Sequence, residues 1–350
     1  MKAVVFEGIE VLKIAEMPVP ECGPGEVLLQ VAACGICGGD VRTFFVGDKY
    51  TGQKRIPGHE VTGRVTAVGA GVADWQLGDR LALAADIHCG ECFYCRRELY
   101  NMCVDLKILG KHMDGGLTDY LLLTREILQQ GIVNPIPPAL SFLHAALSEP
   151  LCSILASHEE LQVQAGETVV ILGSGPMGVM HFELLRQRQA RPVLVDVSEG
   201  RLARAREDFG ATLTIDASRE NAVEAVMKLT EGIGADVVIT AAPSASAVAQ
   251  SVELVRKRGR VGLFGGLPAA EARVSLDINR VHYSELRLVG NFSYHPAYHV
   301  KSLELLAGGG IRADKLITSY PLEETGRALQ EIRQGKVFKA VVIPNKGALL

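Results

Sequence analysis

The sequence predicts an α/β domain built on a six-stranded, parallel, doubly wound sheet, joined to a β-rich domain that carries the chemistry. Three observations predict it. Residues 1 to about 150 run as short alternating or β-branched stretches cut by Gly and Pro, which reads as a compact barrel or sandwich. From about residue 153, five-residue apolar runs alternate with charged, helix-like segments, the pattern of a buried parallel sheet with crossover helices. At the first of those alternations stands Gly173-Ser174-Gly175-Pro176-Met177-Gly178.

In chain order, 26–31 and 61–68 read as strands, bounded by Cys22-Gly23-Pro24-Gly25, Gly69-Ala70-Gly71 and Gly78-Asp79. The parallel strands are expected at 168–172, 192–195, 212–215, 236–240, 260–264 and 286–289, with helical stretches at 201–207 and 222–229 between them. The tail breaks the alternation. It holds an amphipathic helix at 297–306, a second helix at 322–334 and a strand at 340–344, so it is expected to return to the first domain. The predicted division is 1–152, 153–290 and 291–350.

A chain of 350 residues is long enough for two such cores. Its net charge of -4 gives no electrostatic reason to bind nucleic acid or an anionic membrane. The N-terminus, Met1-Lys2-Ala3-Val4-Val5-Phe6-Glu7, carries an acid where a signal peptide would continue apolar, and no apolar run reaches membrane-spanning length. A cytoplasmic protein is expected.

The glycine motif follows an apolar strand and opens a helix. In that context its glycines allow a tight turn and let backbone approach a pyrophosphate at the helix N-terminus. Asp196 closes the next strand, where a carboxylate accepts from the adenosine ribose hydroxyls and repels a 2′-phosphate. No arginine follows it directly, so NAD is expected over NADP. Arg201, further along, is grouped with the cofactor residues, as are Phe264 and Gly265 at the end of a later strand.

Of eight cysteines, Cys89, Cys92, Cys95 and Cys103 crowd into one short stretch. In a reducing compartment that spacing favours a structural zinc with a closed four-thiolate shell over disulfides; an iron–sulfur cluster is the other reading. A second constellation lies in Cys34-Gly35-Ile36-Cys37-Gly38-Gly39-Asp40 and Gly58-His59-Glu60. Singly, Cys37 reads equally as a buried apolar side chain and His59 as a satisfied core histidine. Together, a thiolate, an imidazole and a carboxylate suit Zn²⁺ better than Mg²⁺ or Ca²⁺.

With these motifs in place the chain resembles the zinc-dependent medium-chain alcohol/polyol dehydrogenase superfamily. The resemblance rests on Gly58-His59-Glu60-x2-Gly63-x5-Gly69-x2-Val72, the four-cysteine lobe, the glycine fingerprint and Glu149-Pro150-Leu151, and it covers essentially the whole chain. It implies a GroES-like catalytic domain, a Rossmann domain and a return of the chain to the first. The Glu-Pro-Leu version resembles the sorbitol, threonine and sugar-phosphate dehydrogenase branch.

The resemblance further implies that Cys37, His59 and Glu60 ligate a catalytic zinc. It makes Glu149 a fourth ligand or a partner through water, and Asp40 the carboxylate that orients the histidine. Two positions depart from the family pattern. Gly39 stands where a Ser or Thr usually relays the substrate proton, and Ser293 stands where animal-type sorbitol dehydrogenases carry arginine. Loops 42–55 and 291–299 are expected to shape the pocket.

The implied activity is oxidation of a secondary alcohol of a polyol, cyclitol, sugar or sugar phosphate by hydride transfer to NAD. The alternatives are threonine 3-dehydrogenase-like amino-alcohol oxidation, carbonyl reduction, or a nucleotide-binding structural or regulatory protein that kept the fold. A homodimer or homotetramer is implied, with a small alcohol or ketone as substrate.

Overall fold

The structure is a computed structural model in which residues 1–47 and 54–349 are described; 48–53, within the predicted pocket loop 42–55, lie outside the described residues. The chain divides into two compact units. The first comprises Met1–Cys152, Tyr294–Gly309 and Leu316–Leu350; the second comprises Ser153–Ser293 and Gly310–Lys315.

The first unit is organised on a seven-stranded sheet. Its path runs Ile317–Pro321, Lys339–Ile343, Val27–Gly35, Glu60–Val68, Arg80–Ala84 and Ile132–Pro135, with Tyr120–Leu123 also pairing to Val27–Gly35. Every pairing is antiparallel except that of Ile317–Pro321 with Lys339–Ile343. Val27, Leu29, Val31, Leu81, Leu83 and Leu123 are essentially inaccessible and form the core. Burying each such side chain stabilises the fold by about 1.5–3 kcal/mol. The pairing of Val27–Gly35 with Glu60–Val68 shifts register between Val31 and Ala33, and beyond that bulge Gly35 stands opposite Glu60.

The second unit holds the six-stranded parallel sheet. Its spatial order is Thr214–Asp216, Arg191–Asp196, Thr168–Leu172, Ala235–Thr240, Val255–Leu263 and Arg287–Gly290. Strand order reverses at Thr168–Leu172, whose carboxyl end feeds the glycine motif and the helix Pro176–Gln187. Ligands bind at such a switch point.

Most element bounds shift by a few residues from the sequence reading, and two of the differences matter here. The strand expected at 260–264 begins earlier, at Val255, and ends at Leu263, so that Phe264 leaves the sheet. The helix expected at 322–334 splits into a short 3₁₀ turn, Leu322–Glu324, and the α-helix Thr325–Arg333. The buried Thr325 turns its hydroxyl back onto Leu322 O at 2.7 Å at the break between them.

Candidate metal centres and cofactor site

Cys37 caps the helix Gly38–Val46. Its sulfur accepts from Gly39 N–H at 3.3 Å, and the Asp40 carboxylate reaches back to Cys37 N–H at 2.9 Å. The helix cap and the amide donor together fix where that sulfur points. His59 and Glu60 enter the site from the start of the neighbouring strand, and both are buried. The donor atoms of Cys37, His59 and Glu60 all lie within 4.8 Å of one another.

Glu60 is held from two sides. Lys339, buried in its strand, donates to Ile36 O at 3.0 Å and ion-pairs with Glu60 Oε1. Burial works against that ammonium, but Glu60 and Cys37 keep its pKa above the ordinary lysine value. On the other side, a Cβ at Gly35 would stand 1.8 Å from Glu60 Oε2, so only glycine leaves the carboxylate its place.

His59 is also under tension between burial and charge. Burial disfavours its protonation, yet Asp40 and the hydrogen-bonded Cys37 side chain raise its pKa well above the ordinary range. Such a site demands a cation. His59 Nδ1 and Glu60 Oε2 are buried with no hydrogen-bond partner among the described residues. Mixed S, N and O donors with two unsatisfied buried atoms fit a zinc ion.

Glu149 and Asp40 sit differently from the ligand set. Glu149, in the first turn of Ser148–Glu160, is outside the converging group and accepts from the Tyr294 hydroxyl at 2.7 Å. Its pKa is pushed up to about 7, first by burial and then by Glu60, against the lowering pull of His59 and the Tyr294 hydrogen bond. Asp40 Oδ1 is 3.8 Å from His59 Nδ1, an ion-pair distance beyond hydrogen-bond reach; its firm bond is the one to Cys37 N–H.

The four cysteines of the lobe converge as well, with all sulfurs within 4.8 Å of one another. Cys89–Cys95 and Cys92–Cys95 sulfur separations are 3.9 and 3.5 Å. Four sulfurs about 2.3 Å from a common centre lie about 3.8 Å apart, whereas a disulfide needs about 2.05 Å. The donor set and its spacing fit a tetrahedral zinc.

In the second unit a Cβ at Gly178 would stand 1.9 Å from Gly173 O, so helix and strand touch only through glycine, while a Cβ at Gly175 would meet nothing within 4 Å. That opening suits a pyrophosphate. Asp196 is buried and accepts from Ser174 N–H (2.7 Å), the Ser174 hydroxyl (2.9 Å) and Ser198 N–H (2.9 Å). A cavity of about 320 Å³ lies beside it, lined by Gly173, Asp196, Val197, Arg201, Ala242 and Gln250 among others, with Arg201 Nη1 4.0 Å from Asp196 Oδ2. Phe264 N–H faces the Thr240 hydroxyl at 3.3 Å, and Gly265 N–H donates to Thr240 O at 2.8 Å. Met177 lies in the first turn of Pro176–Gln187.

Residues 23–132 match the alcohol dehydrogenase GroES-like domain, and residues 176–308 match the zinc-binding dehydrogenase domain. The chain is 32% identical to D-arabitol-phosphate dehydrogenase of Enterococcus avium, over 97% of this chain and 95% of that protein. The chain belongs to the zinc-dependent medium-chain dehydrogenases. It is 31% identical to the sorbitol dehydrogenase of Bacillus subtilis over 99% of this chain and 98% of that protein. Among solved structures, a zinc-binding dehydrogenase of Sinorhizobium meliloti 1021, bound to NADP, superposes with a TM-score of 0.90 at 33% identity, covering 98% of this chain and 99% of that one. This dehydrogenase is thus an oxidoreductase acting on small-molecule alcohols, with a GroES-like domain and a six-stranded Rossmann sheet.

Sequence reasoning missed three members of this dehydrogenase's sites: Lys339, Tyr294 and Ser174. A signal existed for the first. A lysine inside the apolar run Val337-Phe338-Lys339-Ala340-Val341-Val342 must find a buried partner.

Proposed function

We propose that this dehydrogenase oxidises a secondary alcohol of a polyol, sugar or sugar phosphate to the ketone, with NAD as hydride acceptor. The observation that carries the reading is the convergence of Cys37, His59 and Glu60 on one point in a chain that also holds a fitted dinucleotide loop. Its similarity to proteins named for arabitol phosphate and sorbitol supports the polyol class.

Cys37, His59 and Glu60 would hold the catalytic zinc, with Glu149 beside it, and Cys89, Cys92, Cys95 and Cys103 the structural one. Bound zinc supplies Lewis-acid polarisation of the hydroxyl, and bound nicotinamide supplies the hydride acceptor. The chain's own residues position these groups. Cys37 fixes one donor at a helix N-terminus, Gly35 and Lys339 fix the Glu60 carboxylate, and Tyr294 fixes Glu149. Glu149, buried and hydrogen-bonded by the Tyr294 hydroxyl, is the carboxyl placed to take up the substrate proton.

Gly173, Gly175, Pro176, Met177 and Gly178 would cradle the pyrophosphate, Asp196 and Arg201 would face the adenosine ribose, and Phe264 and Gly265 the nicotinamide. The Asp196 carboxylate favours NAD; the neighbouring Arg201 is the feature that would instead admit a 2′-phosphate. A cytoplasmic location is part of the same proposal; no described helix is long and apolar enough to cross a membrane. The edge strand Arg287–Gly290 has one side unpaired among the described residues, in keeping with a homodimer or homotetramer.

The test is a screen of NAD and NADP reduction across sugar alcohols, cyclitols, sugar phosphates, threonine and lone secondary alcohols, and of NADH and NADPH oxidation with carbonyl compounds, with zinc content measured on the same protein. Turnover of polyols with NAD at two zinc per chain is expected. Activity restricted to threonine or to carbonyl reduction, or none with any substrate, would refute the assignment.

A further inference from the structure

The space beside Cys37 is bare of side chains on the helix that carries it. Gly38 and Gly39 form the first positions of Gly38–Val46, and among the described residues a Cβ at Gly38 would meet nothing within 4 Å. Among the described residues a Cβ at Gly39 would meet two atoms, Cys37 Sγ at 3.7 Å and Lys111 Nζ at 3.8 Å. One point in space is therefore flanked by a metal-donor sulfur and by a lysine ammonium that arrives from a different part of the chain.

That lysine is delivered by a well-tied turn. Lys111 N–H and His112 N–H both donate to Ile108 O, at 3.1 and 2.9 Å, and His112 Nδ1 accepts from Ile108 N–H at 2.9 Å. The segment that follows then pairs with the residues just before His59. Gly115 N–H donates to Ile56 O at 2.8 Å, Leu117 N–H to Pro57 O at 3.0 Å and Gly116 N–H to Gly58 O at 2.9 Å. The turn bearing Lys111 is thus fixed to the strand entry that carries His59 and Glu60.

An ammonium carries three donors on a flexible stem. Lys111 already interacts within the protein, and a substrate oxygen would share its ammonium with that partner. The helix N-terminus at Gly38–Gly39 adds positive potential to the same space. What such a space selects is an oxygen, and a charged donor binds one more tightly than a neutral hydroxyl would.

Taking the polyol reading above as given, we propose that Lys111 is a substrate-binding residue. Its ammonium donates to a substrate oxygen next to the reacting hydroxyl, a neighbouring hydroxyl or a phosphate oxygen, and so selects oxygen-rich substrates over lone alcohols. Gly39 is then the residue that clears the path between that ammonium and the substrate.

The experiment compares wild type with K111M and K111Q on three substrates: a sugar alcohol, its phosphate and a lone secondary alcohol such as 2-butanol. Zinc content and NADH affinity are measured on each protein. K111M should lose about 10–100-fold in kcat/KM on both oxygen-rich substrates, mainly through KM, and change less than about threefold on 2-butanol. K111Q, whose amide keeps a neutral donor, should fall between. Zinc content and NADH affinity should not move. An equal loss on all three substrates would make Lys111 a structural or general electrostatic element and overturn the proposal, as would no loss on any. A wild-type enzyme that prefers 2-butanol overturns the polyol reading together with this one. A polyol preference over 2-butanol that is undiminished in K111M overturns this one alone.

Discussion

Lys339 reaches Glu60 across 279 residues of sequence, and the two side chains form a buried ion pair whose second carboxylate oxygen has no partner among the described residues. The carboxylate thus stands between a fixed ammonium on one side and the converging donors of Cys37 and His59 on the other. Breaking a buried pair by removing one partner costs about 3–5 kcal/mol, because the other charge is stranded. Lys339→Met should therefore lower the stability of the chelated protein by an amount in that range. Bound zinc becomes the sole counter-ion of Glu60 in that variant, so the gap in Tm between zinc-loaded and chelated protein should widen relative to wild type. Calorimetry of both forms measures it; an unchanged gap would mean that Glu60 does not face the metal.

The Tyr294 hydroxyl makes two bonds that no phenylalanine can. It donates to Glu149 Oε1 at 2.7 Å and accepts from Ala85 N–H at 3.2 Å. Hydrogen bonds to charged groups contribute about 1.5–3 kcal/mol, and a stranded buried amide adds to the loss. Tyr294→Phe should cost about 2–4 kcal/mol on denaturant unfolding. The bond from Tyr294 lowers the pKa of Glu149, which burial has raised to about 7. Its removal should move the acid limb of the kcat/KM–pH profile upward if Glu149 takes up the substrate proton. A limb that stays in place assigns that proton elsewhere.

Much of this was legible in the sequence because it rests on local spacing. The glycine fingerprint, the close cysteines and Gly58-His59-Glu60 each put chemistry within one turn or loop, where chain geometry alone restricts the outcome. The missed partners are long-range. Tyr294 meets Glu149 across 145 residues, and Lys339 meets Glu60 because Lys339–Ile343 is laid beside Val27–Gly35 in a sheet whose register no short window encodes. Asp40 stands 3.8 Å from His59 Nδ1, and its firm hydrogen bond closes a capping box with Cys37. That box was readable in principle, since Cys37 and Asp40 are three residues apart at a helix start.

The four-cysteine lobe should behave as one unit. Its sulfurs are held by backbone donors, Cys89 N–H to Cys103 Sγ at 3.3 Å and Cys95 N–H to Cys92 Sγ at 3.5 Å, and the stretch Tyr94–Cys103 between them has only two short 3₁₀ turns. With so little secondary structure, a bound ion is what ties the lobe down. Cys103→Ala should reduce zinc from two to one per chain and expose the lobe to protease. Polyol turnover should fall far less than in Cys37→Ser, which loses the other zinc. Equal zinc loss from both sites in Cys103→Ala would show that the two centres are not independent.

Three buried histidines set the acid limit of the fold. His299 accepts from the Asn134 amide on Nδ1 at 2.9 Å, and its other nitrogen faces the Ser148 hydroxyl, itself donated to Ala145 O; a second proton has nowhere to go. His158 and His181 share one hydrogen bond at 2.9 Å, and their outer nitrogens have no partner among the described residues. Burial lowers the pKa of His181 and His299 to about 3 and that of His158 well below the ordinary value. At these three sites the folded state therefore binds fewer protons than the unfolded chain between about pH 3 and about pH 6.5. Stability is full above about pH 6.5 and falls as pH drops, by about 1.4 kcal/mol per pH unit for each histidine. His299→Gln keeps an amide for Asn134 and Ser148 but cannot titrate. Its stability should decline less steeply than that of wild type between pH 6 and 4.5, by about that single-histidine slope. Parallel curves from urea unfolding at several pH values would show that His299 is not buried neutral in the native protein.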